Sequence, residues 1–508
     1  MDIEHTSDLI GQRTQRIEKI KILREKGIDP FPSSSSRTHT TADIIKQYDE
    51  LENKKVTVVG RIMSWRKHGD IQFIDLQDDF GRIQVYIRLD ALPADNTGSI
   101  LGKKDMSLID IGDHVEVTGI VTKTKTGQIS VQPEAGMKIL SKSIRPLPAK
   151  WGGISDTELR FRRRYLDMTL DLAIRDRFKR RSIFWKATRD LLDSEGFIEV
   201  NTPVLEHTTG GADAKPFVTH YDVLDEDYYL RISQELPLKR LLGGGFEKVY
   251  DIGPRFRNEG FSDEHLPEHI ALEWYWAYAN YKDGMGLTEK LFKYVLKETF
   301  GTLKFNVRGF DIDIDTKWEV ADFTEILNRE YDIDIFTEKI DVIKQILHER
   351  GAYLPDGSDS RTRMIDALWK LIRKDLAGPL FVTGVPKFMS PLSKSDPSDD
   401  FKTERFFPII AGTEMANVFS ELNDPLDQLD RFEQQQKLRD SGDDEAHMLD
   451  IDFVEMLEYG MPPAVGYGST ERVFWVFEGV SAREGVPFPL MKRATDEISK
   501  KLYDIKFG

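Results

Sequence analysis

The pattern of hydrophobic and polar residues in the first third of the chain predicts a small β-barrel. Residues 55–145 contain five segments rich in β-branched and aromatic residues, bounded by glycine and aspartate. These segments are VTVVGRIMSW, IQFIDLQD, GRIQVYIRL, HVEVTGIVTKT and QISVQP. Five short strands in this length indicate a closed barrel, and the OB-fold is the commonest barrel of that size that binds nucleic acid.

Aromatic and polar side chains of the predicted barrel are candidates for contacts with bases. An aromatic ring can stack on a base while arginine and glutamine read its edges. A single aromatic residue here more often belongs to the core, so the prediction depends on the whole set. The set contains Arg61, Arg66, Phe73, Arg82, Gln84 and Tyr86.

Residues 1–50 are predicted to form a helical extension before the barrel. Ile17, Ile20 and Leu23 recur at helical spacing, and a glycine and a proline end the pattern. Basic residues dominate segment 13–26, which predicts an amphipathic helix with a basic outer face. That face is either a solvated surface or a contact for nucleic acid. The basic residues are Arg13, Arg16, Lys19, Lys21, Arg24 and Lys26.

The rest of the chain is predicted to form a linker followed by a second domain of mixed strands and helices. Residues 146–170 begin with prolines and end in an arginine cluster, a composition typical of a linker that runs into a helix. A long helical pattern follows over 171–195 and ends at Gly196. Strands and helices alternate over 171–508, and a helical stretch near 320–376 is predicted to be an insertion.

Composition and charge narrow the class of protein. A chain of 508 residues, 40% hydrophobic and 31% charged, is typical of a soluble globular protein with two or three domains. The sequence contains no apolar run of about 18 residues, so no membrane-spanning helix is predicted. The absence of cysteine excludes disulfides, thiol catalysis and cysteine-ligated zinc, and fits a cytoplasmic address. A net charge of −16 does not exclude nucleic-acid binding, because local basic patches decide it.

Three segments in the second domain carry the strongest signal. The chain has no Walker P-loop, GxGxxG or zinc helix, so use of ATP would need another scaffold. The three segments resemble, in order and spacing, motifs 1, 2 and 3 of the class II aminoacyl-tRNA synthetases. They are GFIEVNTPVL (196–205), VYDIGPRFRNEG (249–260) with DEHLPEHIALEWYWAYANY (263–281), and VGYGSTERVFWVF (465–477).

Two further segments, 208–253 and 412–428, resemble the lysine enzymes of that class, and the resemblance to class II lysyl-tRNA synthetases runs from about residue 10 to the end. It implies an α+β protein. An N-terminal OB-fold anticodon-binding domain would cover 51–145, and a class II catalytic domain, an antiparallel sheet flanked by helices, would cover 171–508. The implied partners are L-lysine, ATP with Mg²⁺, the lysine tRNA and a second copy of the chain, bound through motif 1.

The resemblance also assigns roles in the ATP site. Attack of the lysine carboxylate on the α-phosphate brings two anions together, so positioning and cationic stabilisation supply most of the catalysis. Arg257 would bridge the α-phosphate and the carboxylate, a task that suits a planar, permanently charged fork. Glu259 would accept from the adenine amino group. His265 would contact the outer phosphates, Arg472 would hold the γ-phosphate and stack under adenine, and Glu414 would hold Mg²⁺.

The implied lysine pocket must bind two ammonium groups and one carboxylate. Buried carboxylates reject neutral side chains, because a wrong substrate leaves a charge unpaired. Glu235, Glu273 and Glu421 are therefore the predicted specificity residues. The resemblance assigns Gly211, Glu235 and Glu273 to the α-amino group, Asn417 and Arg257 to the carboxylate, Glu421 and Tyr275 to the ε-ammonium, and Phe419 to the aliphatic stem.

In the barrel, the resemblance implies that Phe73 stacks on an anticodon uridine while Arg66 and Gln84 contact base edges. Three departures from the family pattern concern the ATP site. His269 stands where motif 2 usually has phenylalanine and would stack on adenine less well, and Phe407 stands where a second metal-binding glutamate is usual. Motif 3 is one residue shorter than usual, with Glu471 for aspartate. These departures leave the number of Mg²⁺ ions open.

Two other functions remain open on sequence alone. One is a paralog that transfers lysine to a protein, although the recognisable paralog of that kind lacks the anticodon barrel. The other is a catalytically silent paralog that only binds tRNA or amino acid.

Overall fold

The computed structural model describes residues 3–148, 156–260, 262–352, 360–440, 446–494 and 497–503. The chain divides into two compact units. The first contains residues 1–172 and 492–508, and the second contains residues 173–491. Residues 149–155 of the predicted linker lie outside the described part of the chain.

The first unit contains the barrel. Its strands are β1 (Lys55–His68), β2 (Ile71–Gln77), β3 (Arg82–Arg88), β4 (Ile100–Leu101), β5 (His114–Lys123), β6 (Ile129–Pro133) and β7 (Met137–Ser141). Strand β1 pairs with both β2 and β5, β2 pairs with β3, and β6 joins β3 to β5, so five strands close a ring. Along β3, Ile83, Val85 and Ile87 are buried and the residues between them face outward, as the two-residue period of a strand requires. The predicted OB-fold barrel is confirmed.

Helices surround this barrel in the first unit. They are α1 (Ile3–Glu25), α2 (Thr41–Lys46), α3 (Tyr48–Leu51), α4 (Thr157–Arg162) and α5 (Arg164–Leu170), with 3-10 turns at Leu89–Ala91 and Lys103–Leu108. The predicted basic outer face of α1 is wrong for two residues. Arg16 is buried and donates to the Ser143 carbonyl oxygen at 3.0 Å, and Lys19 Nζ lies 2.7 Å from the Asp110 carboxylate. These cations turn inward because buried acceptors on the barrel need donors.

The second unit combines one large sheet with many helices. Its strands are β8 (Ile198–Glu199), β9 (Leu205–Glu206), β10 (Phe217–Tyr221), β11 (Glu226–Leu230), β12 (Lys248–Phe256), β13 (Glu268–Ala277), β14 (Lys304–Val307), β15 (Phe310–Asp313), β16 (Glu319–Asp322), β17 (Leu380–Thr383), β18 (Ser395–Asp396), β19 (Asp399–Thr403), β20 (Arg405–Ile410), β21 (Thr413–Glu414), β22 (Ala416–Ser420) and β23 (Ala464–Thr470).

Its helices are α6 (Leu172–Ser194), α7 (Glu235–Gly243), α8 (Tyr281–Phe300), α9 (Phe323–Tyr331), α10 (Ile340–Glu349), α11 (Arg361–Ile372), α12 (Pro425–Asp440), α13 (Ile451–Tyr459), α14 (Arg472–Glu478) and α15 (Ala482–Gly485), with 3-10 turns at Arg373–Asp375 and Lys387–Met389. The last helix of the chain, α16 (Glu497–Tyr503), belongs to the first unit. Among the residues described, no helix is both long and apolar enough to cross a bilayer.

The large sheet has the strand order β16-β17-β20-β22-β23-β13-β12-β8, and β21 pairs with β20. Its central neighbours are antiparallel, and the parallel pairs β16–β17 and β12–β8 stand at its edges. The predicted antiparallel sheet flanked by helices is thus confirmed, with parallel pairing at both margins. Trp274 and Tyr467, on neighbouring strands, stack 5.1 Å apart in its core.

Two predicted segments take a more specific form in the structure. Segment 196–205 joins the large sheet only over Ile198–Glu199 and reaches the small sheet at Leu205, because Thr202 leaves the large sheet to donate from its backbone nitrogen and hydroxyl to Asp251. Pro203, which follows, has no N–H to offer to a ladder. The predicted helical stretch near 320–376 contains α9, α10 and α11, which pack around a separate core with Trp369 at its centre.

Candidate active site

The register of the central strands gathers residues that are far apart in sequence. Glu273 and Tyr275 lie two positions apart on β13, and Asn417 and Phe419 lie two positions apart on β22, so each pair shares one face of the sheet. Strand β23 runs between them and places Gly468 and Gly466 at the positions in line with these side chains. Because glycine has no side chain, the middle strand leaves room for a cavity.

This cavity has a volume of about 220 Å³. Residues from six helices and strands and from the adjoining loops line it, and seven residues predicted to bind lysine are among them. They are Gly211, Glu235, Arg257, Glu273, Tyr275, Asn417 and Phe419. The structure therefore brings these seven residues together, and the remaining predicted lysine contact, Glu421, lies fully buried behind Gly466.

Two glycines permit this packing. A Cβ atom on Gly466 would overlap Oε1 of Glu421 and the ring of Tyr275. Gly211 has a φ of +85°, and a Cβ there would lie 2.7 Å from both the Glu235 Cβ and the Ser233 hydroxyl oxygen. Both positions therefore require glycine, one for close approach and the other also for its backbone conformation.

Glu273 is the best-bonded carboxylate of the cavity. Its Oε1 accepts from the Ser233 hydroxyl at 2.7 Å and from the Gln234 backbone nitrogen at 3.0 Å. The Tyr275 hydroxyl donates to Oε2 at 3.1 Å, and Arg255 Nη1 lies 3.4 Å from Oε1. Burial raises the pKa of Glu273, and Arg255 opposes that shift. The carboxylate is thus fixed in position by four donors.

Glu235 and Glu421 share one ammonium group. Lys239, one helical turn after Glu235 on α7, places Nζ 2.6 Å from Glu235 Oε1 and against Glu421 Oε2. All of the Lys239 side chain is buried, and the rings of Phe419 and Phe453 lie 5.3 and 5.9 Å from Nζ. Burial raises the pKa of Glu421, and Lys239 opposes that shift. Sequence reasoning missed Lys239, although its spacing from Glu235 is that of an ion pair on a helix.

Arg255 connects Glu273 to His269. The pairing of β12 with β13 places Arg255 opposite His269, and Arg255 Nε lies 2.9 Å from Nε2 of the imidazole. His269 Nδ1 lies 3.0 Å from the Leu266 carbonyl oxygen. Burial, and then Arg255, lower the pKa of His269 well below its ordinary value. Sequence reasoning did not single out Arg255, because an arginine two residues before Arg257 looks like part of one basic motif.

The cavity lining also contains Arg405, together with Arg257 and Asn417, which were predicted to bind the lysine carboxylate. Arg257 follows β12, and its backbone nitrogen donates to the Pro267 carbonyl oxygen at 2.9 Å. Asn417 Oδ1 accepts from Nε of the partly buried Arg405 at 2.7 Å, which turns the amide NH₂ away from that arginine. Arg405 was not predicted, and no local pattern marks it. Glu259 lies exposed on the turn after β12, outside the cavity lining.

A second group of charges surrounds Arg472 at the start of α14. His265 Nε2 lies 3.1 Å from Arg472 Nη2, and its Nδ1 lies 2.8 Å from the Ser262 hydroxyl. Burial, followed by Arg472, lowers the pKa of His265 to about 4. Burial also lowers the pKa of Arg472, and Glu264, Glu414, Arg373 and Arg257 are the charges that act on it. The predicted phosphate contacts therefore lie close enough to Arg257 to interact electrostatically.

Glu414 is anchored by residues that follow or belong to α11. Trp369 Nε1 donates to Glu414 Oε1 at 2.5 Å, and Arg373 Nε lies 3.6 Å from the same oxygen. Phe407 is buried and its ring lies 6.4 Å from that of Trp369. No group of three or more acidic or histidine side chains that could hold a metal occurs among the described residues. Glu414 is 29% exposed, so a metal could share it with phosphate oxygens and water.

In the first unit, the predicted anticodon contacts lie on the outer face of the barrel. Phe73 and Tyr86 stack with ring centres 5.5 Å apart, and the Arg66 guanidinium lies 5.9 Å from the Phe73 ring. Neither ring belongs to the buried core. Gln84, on the same strand as Tyr86, accepts from the Ser130 hydroxyl at 3.0 Å. The face thus presents a stacked aromatic pair beside polar groups.

Comparison with known proteins decides the family. Residues 156–492 match the family model described as tRNA synthetases class II (D, K and N), and residues 56–139 match the OB-fold nucleic acid binding domain. A lysine–tRNA ligase of Thermotoga maritima is 44% identical over 492 residues, covering 94% of this chain and 96% of that protein. The chain belongs to the lysine–tRNA ligase family of class II tRNA synthetases.

Other members of this family are similarly close. The lysine–tRNA ligase of Fervidobacterium nodosum is 44% identical over 491 residues, covering 95% of this chain and 94% of that protein. That of Clostridium novyi is 41% identical over 485 residues, covering 94% of each. The resemblance read from the three motifs and the barrel is therefore confirmed, at the level of the family and of its two-domain architecture.

Proposed function

We propose that this chain is a lysine–tRNA ligase. It would activate L-lysine with ATP to form lysyl-adenylate and pyrophosphate, and then transfer lysine to the 3′ end of the lysine tRNA. The observation that carries this proposal is a cavity lined both by the buried carboxylates of Glu235 and Glu273 and by Arg257 and Asn417. That combination matches a substrate with ammonium groups and one carboxylate, and a neutral side chain would leave a buried charge unpaired.

In the amino-acid site, Glu235 and Glu273 receive the α-amino group beside the backbone of Gly211. Glu421 and Tyr275 receive the ε-ammonium, and Phe419 covers the aliphatic stem. The hydrogen bonds that Ser233, Gln234 and Tyr275 donate to Glu273 support this, since a carboxylate already held in place loses little freedom when an ammonium binds.

In the activation step, an oxygen of the lysine carboxylate attacks the α-phosphorus of ATP, and the bond to the β-phosphate oxygen breaks. Arg257 bridges the carboxylate and the α-phosphate, and it neutralises charge that builds on the phosphoryl oxygens. Glu259 binds the adenine amino group and His269 lies against the ring. His265 and Arg472, already in contact with each other, hold the outer phosphates of the leaving group.

Mg²⁺ fits this site as an ion carried by ATP. Glu414 would contribute one carboxylate, with phosphate oxygens and water completing the shell, which is the way Mg²⁺ usually binds at nucleotide sites. When bound, the ion adds charge neutralisation at the phosphates. Arg373, 3.6 Å from Glu414, supports a site with few metal ions, since it already supplies positive charge there.

The barrel binds the anticodon through its outer face. Phe73 stacks on a uridine, while Arg66 and Gln84 contact base edges. Exposed apolar side chains on the motif 1 elements and the neighbouring small sheet support a homodimer, because patches of this kind usually face a partner. They include Ile183, Ile198, Leu205 and Val218. As a tRNA-charging enzyme the protein would act in the cytoplasm, where tRNA is used.

The test is lysine-dependent exchange of pyrophosphate into ATP, followed by charging of tRNA that carries the lysine anticodon. Exchange with lysine but not with aspartate or asparagine is expected, together with charging. Absence of exchange would favour a silent paralog. Exchange without tRNA charging, together with labelling of a protein acceptor, would favour transfer of lysine to protein.

A further inference from the structure

Lys239 occupies an unusual position for a buried lysine. Its ammonium lies between Glu235 and Glu421, inside the wall of the cavity that is proposed to accept the ammonium groups of the substrate. The side chain has no exposed area, so its charge must be compensated by neighbours rather than by water. Both compensating groups are residues that were predicted to bind substrate lysine.

The charges around this point can be counted from the described residues. Three buried carboxylates are present, those of Glu235, Glu273 and Glu421. Lys239 contacts the first and the third, and Arg255 contacts Glu273. At Lys239 itself, one cation faces the two carboxylates of Glu235 and Glu421, which leaves one negative charge. The other ionisable groups that act on the Lys239–Glu421 contact are Glu273 and Tyr275, whereas Arg255 acts on Glu273 and Arg405 acts on Glu235.

We propose that Lys239 is a specificity-determining counter-ion, which keeps Glu235 and Glu421 ionised together so that the two carboxylates with Lys239 present a single net negative charge to the ammonium groups of the substrate. This inference rests on the proposed function. Without an internal cation, two carboxylates this close would share a proton, because like charges in a buried site cannot both ionise. The shared proton would then compete with the substrate ammonium.

The position of Lys239 on the helix fixes this arrangement. Glu235 and Lys239 are four residues apart on α7, so the helix itself holds the ammonium beside the first carboxylate. The Phe419 and Phe453 rings face the ammonium and exclude water from it. The ammonium cannot move far when lysine arrives, and the substrate must bind beside it rather than replace it.

The experiment compares the wild type with Lys239→Met, Glu421→Gln and the double variant in the pyrophosphate exchange assay. Lys239→Met should raise the lysine KM by about tenfold or more at pH 7, while the ATP KM changes by less than about twofold. Its lysine KM should fall as pH rises from 6 to 9, because the shared proton leaves the pair. The wild type should show no such dependence.

The double variant returns the pair to one negative charge, so the pH dependence introduced by Lys239→Met should disappear. A lysine KM that is unchanged and independent of pH in Lys239→Met would overturn the proposal. Persistence of the pH dependence in the double variant would also overturn it, since the proton would then lie elsewhere. Failure of the wild type to exchange with lysine would instead refute the proposed function.

A measurement on the wild type covers the case in which Lys239→Met does not fold. Titration calorimetry with lysine, in two buffers of different ionisation enthalpy, reports protons released on binding. The proposal expects the same binding enthalpy in both buffers at pH 7, because the pair is already ionised. Release of about one proton per lysine bound would overturn it.

Discussion

Arg255 and His269 form a charge-assisted hydrogen bond, in which Nε of the guanidinium donates to Nε2 of the imidazole over 2.9 Å. The other ring nitrogen, Nδ1, faces the Leu266 carbonyl oxygen at 3.0 Å, and a carbonyl can only accept. The imidazole is therefore neutral, with its proton on Nδ1. This fixes the ring that stands where the family usually has phenylalanine, and its protonation does not change near neutral pH.

Restoring the usual residue should therefore weaken this protein. His269→Phe leaves the buried Arg255 Nε without its acceptor, at a cost of about 1–3 kcal/mol in the free energy of unfolding. Urea denaturation checks this, with His220→Phe on the exposed strand β10 as the control, where a change within about 0.5 kcal/mol is expected. Equal midpoints for the two variants would show that the hydrogen bond is unimportant.

The two glycines of β23 should differ sharply in how well they tolerate substitution by alanine. Gly466→Ala forces its new methyl group into the Glu421 carboxylate and the Tyr275 ring, so the lysine KM should rise by about tenfold or more. Gly468→Ala is the matched comparison for packing, because its Cβ would meet nothing nearer than Glu273 Cγ at 3.7 Å. Its methyl group would still enter the cavity, so the comparison is made on stability. Gly466→Ala should lower the free energy of unfolding by about 1–3 kcal/mol and Gly468→Ala by less than about 1 kcal/mol, as measured by urea denaturation. Similar losses of stability at both positions would contradict the packing argument.

Arg257 should not be replaceable by another cation. Arg257→Lys keeps a positive charge but loses the planar fork, so the kcat for exchange should fall by about 100-fold, as on loss of a transition-state donor. Arg257→Ala should fall further, because charge and positioning are lost together. Near-normal exchange by Arg257→Lys would mean that Arg257 acts only through its charge.

The aromatic pair on the barrel should matter for tRNA and not for activation. Loss of one base stack costs about 1–3 kcal/mol, so Phe73→Ala should lower kcat/KM for tRNA by about 5- to 150-fold and leave exchange unchanged. Phe80→Ala, also on the barrel and 57% exposed, is the control and should alter neither reaction. If Phe73→Ala reduced both reactions equally, the residue would belong to the fold rather than to the tRNA interface.

The barrel should lose stability as pH falls, because of His114. Burial, and then Arg61, lower the pKa of His114 from 6.5 to about 4. Between those values the unfolded chain binds a proton that the folded chain does not, so the free energy of unfolding decreases as pH falls from about 6.5 to 4. His114→Gln should flatten this part of the profile, measured by urea denaturation at several pH values. An unchanged slope would show that His114 does not carry the effect.

Sequence reasoning succeeded where a physical rule acts over a short range. The alternation of Ile83, Val85 and Ile87 is a local property, and the order of the three motifs is visible in the chain itself. The convergence of Gly211, Glu273 and Asn417 around one cavity followed only from the family resemblance, since strand register brings them together. No local pattern contains that register.

The residues that sequence reasoning missed contact residues that are distant along the chain. Arg405 meets Asn417 through sheet pairing, and Trp369 meets Glu414 because α11 packs on a strand more than forty residues away. Arg16 was predicted to face solvent because its acceptor, the Ser143 carbonyl, lies 127 residues further along the chain. Helical periodicity predicts which side of a helix packs against the protein, but it does not predict the charge of the residues that this side contacts.

The closed ring of the barrel has a consequence for how decoding could change. Because β2 pairs along its whole length with β1 on one side and β3 on the other, its backbone groups are used within the ring and are not offered to RNA. On the proposed function, discrimination between anticodons would then fall to the outward side chains of these three adjacent strands, such as Phe73 and Gln84. A new codon assignment could therefore arise by substitutions on that face alone, without disturbing the interior on which the barrel's stability depends.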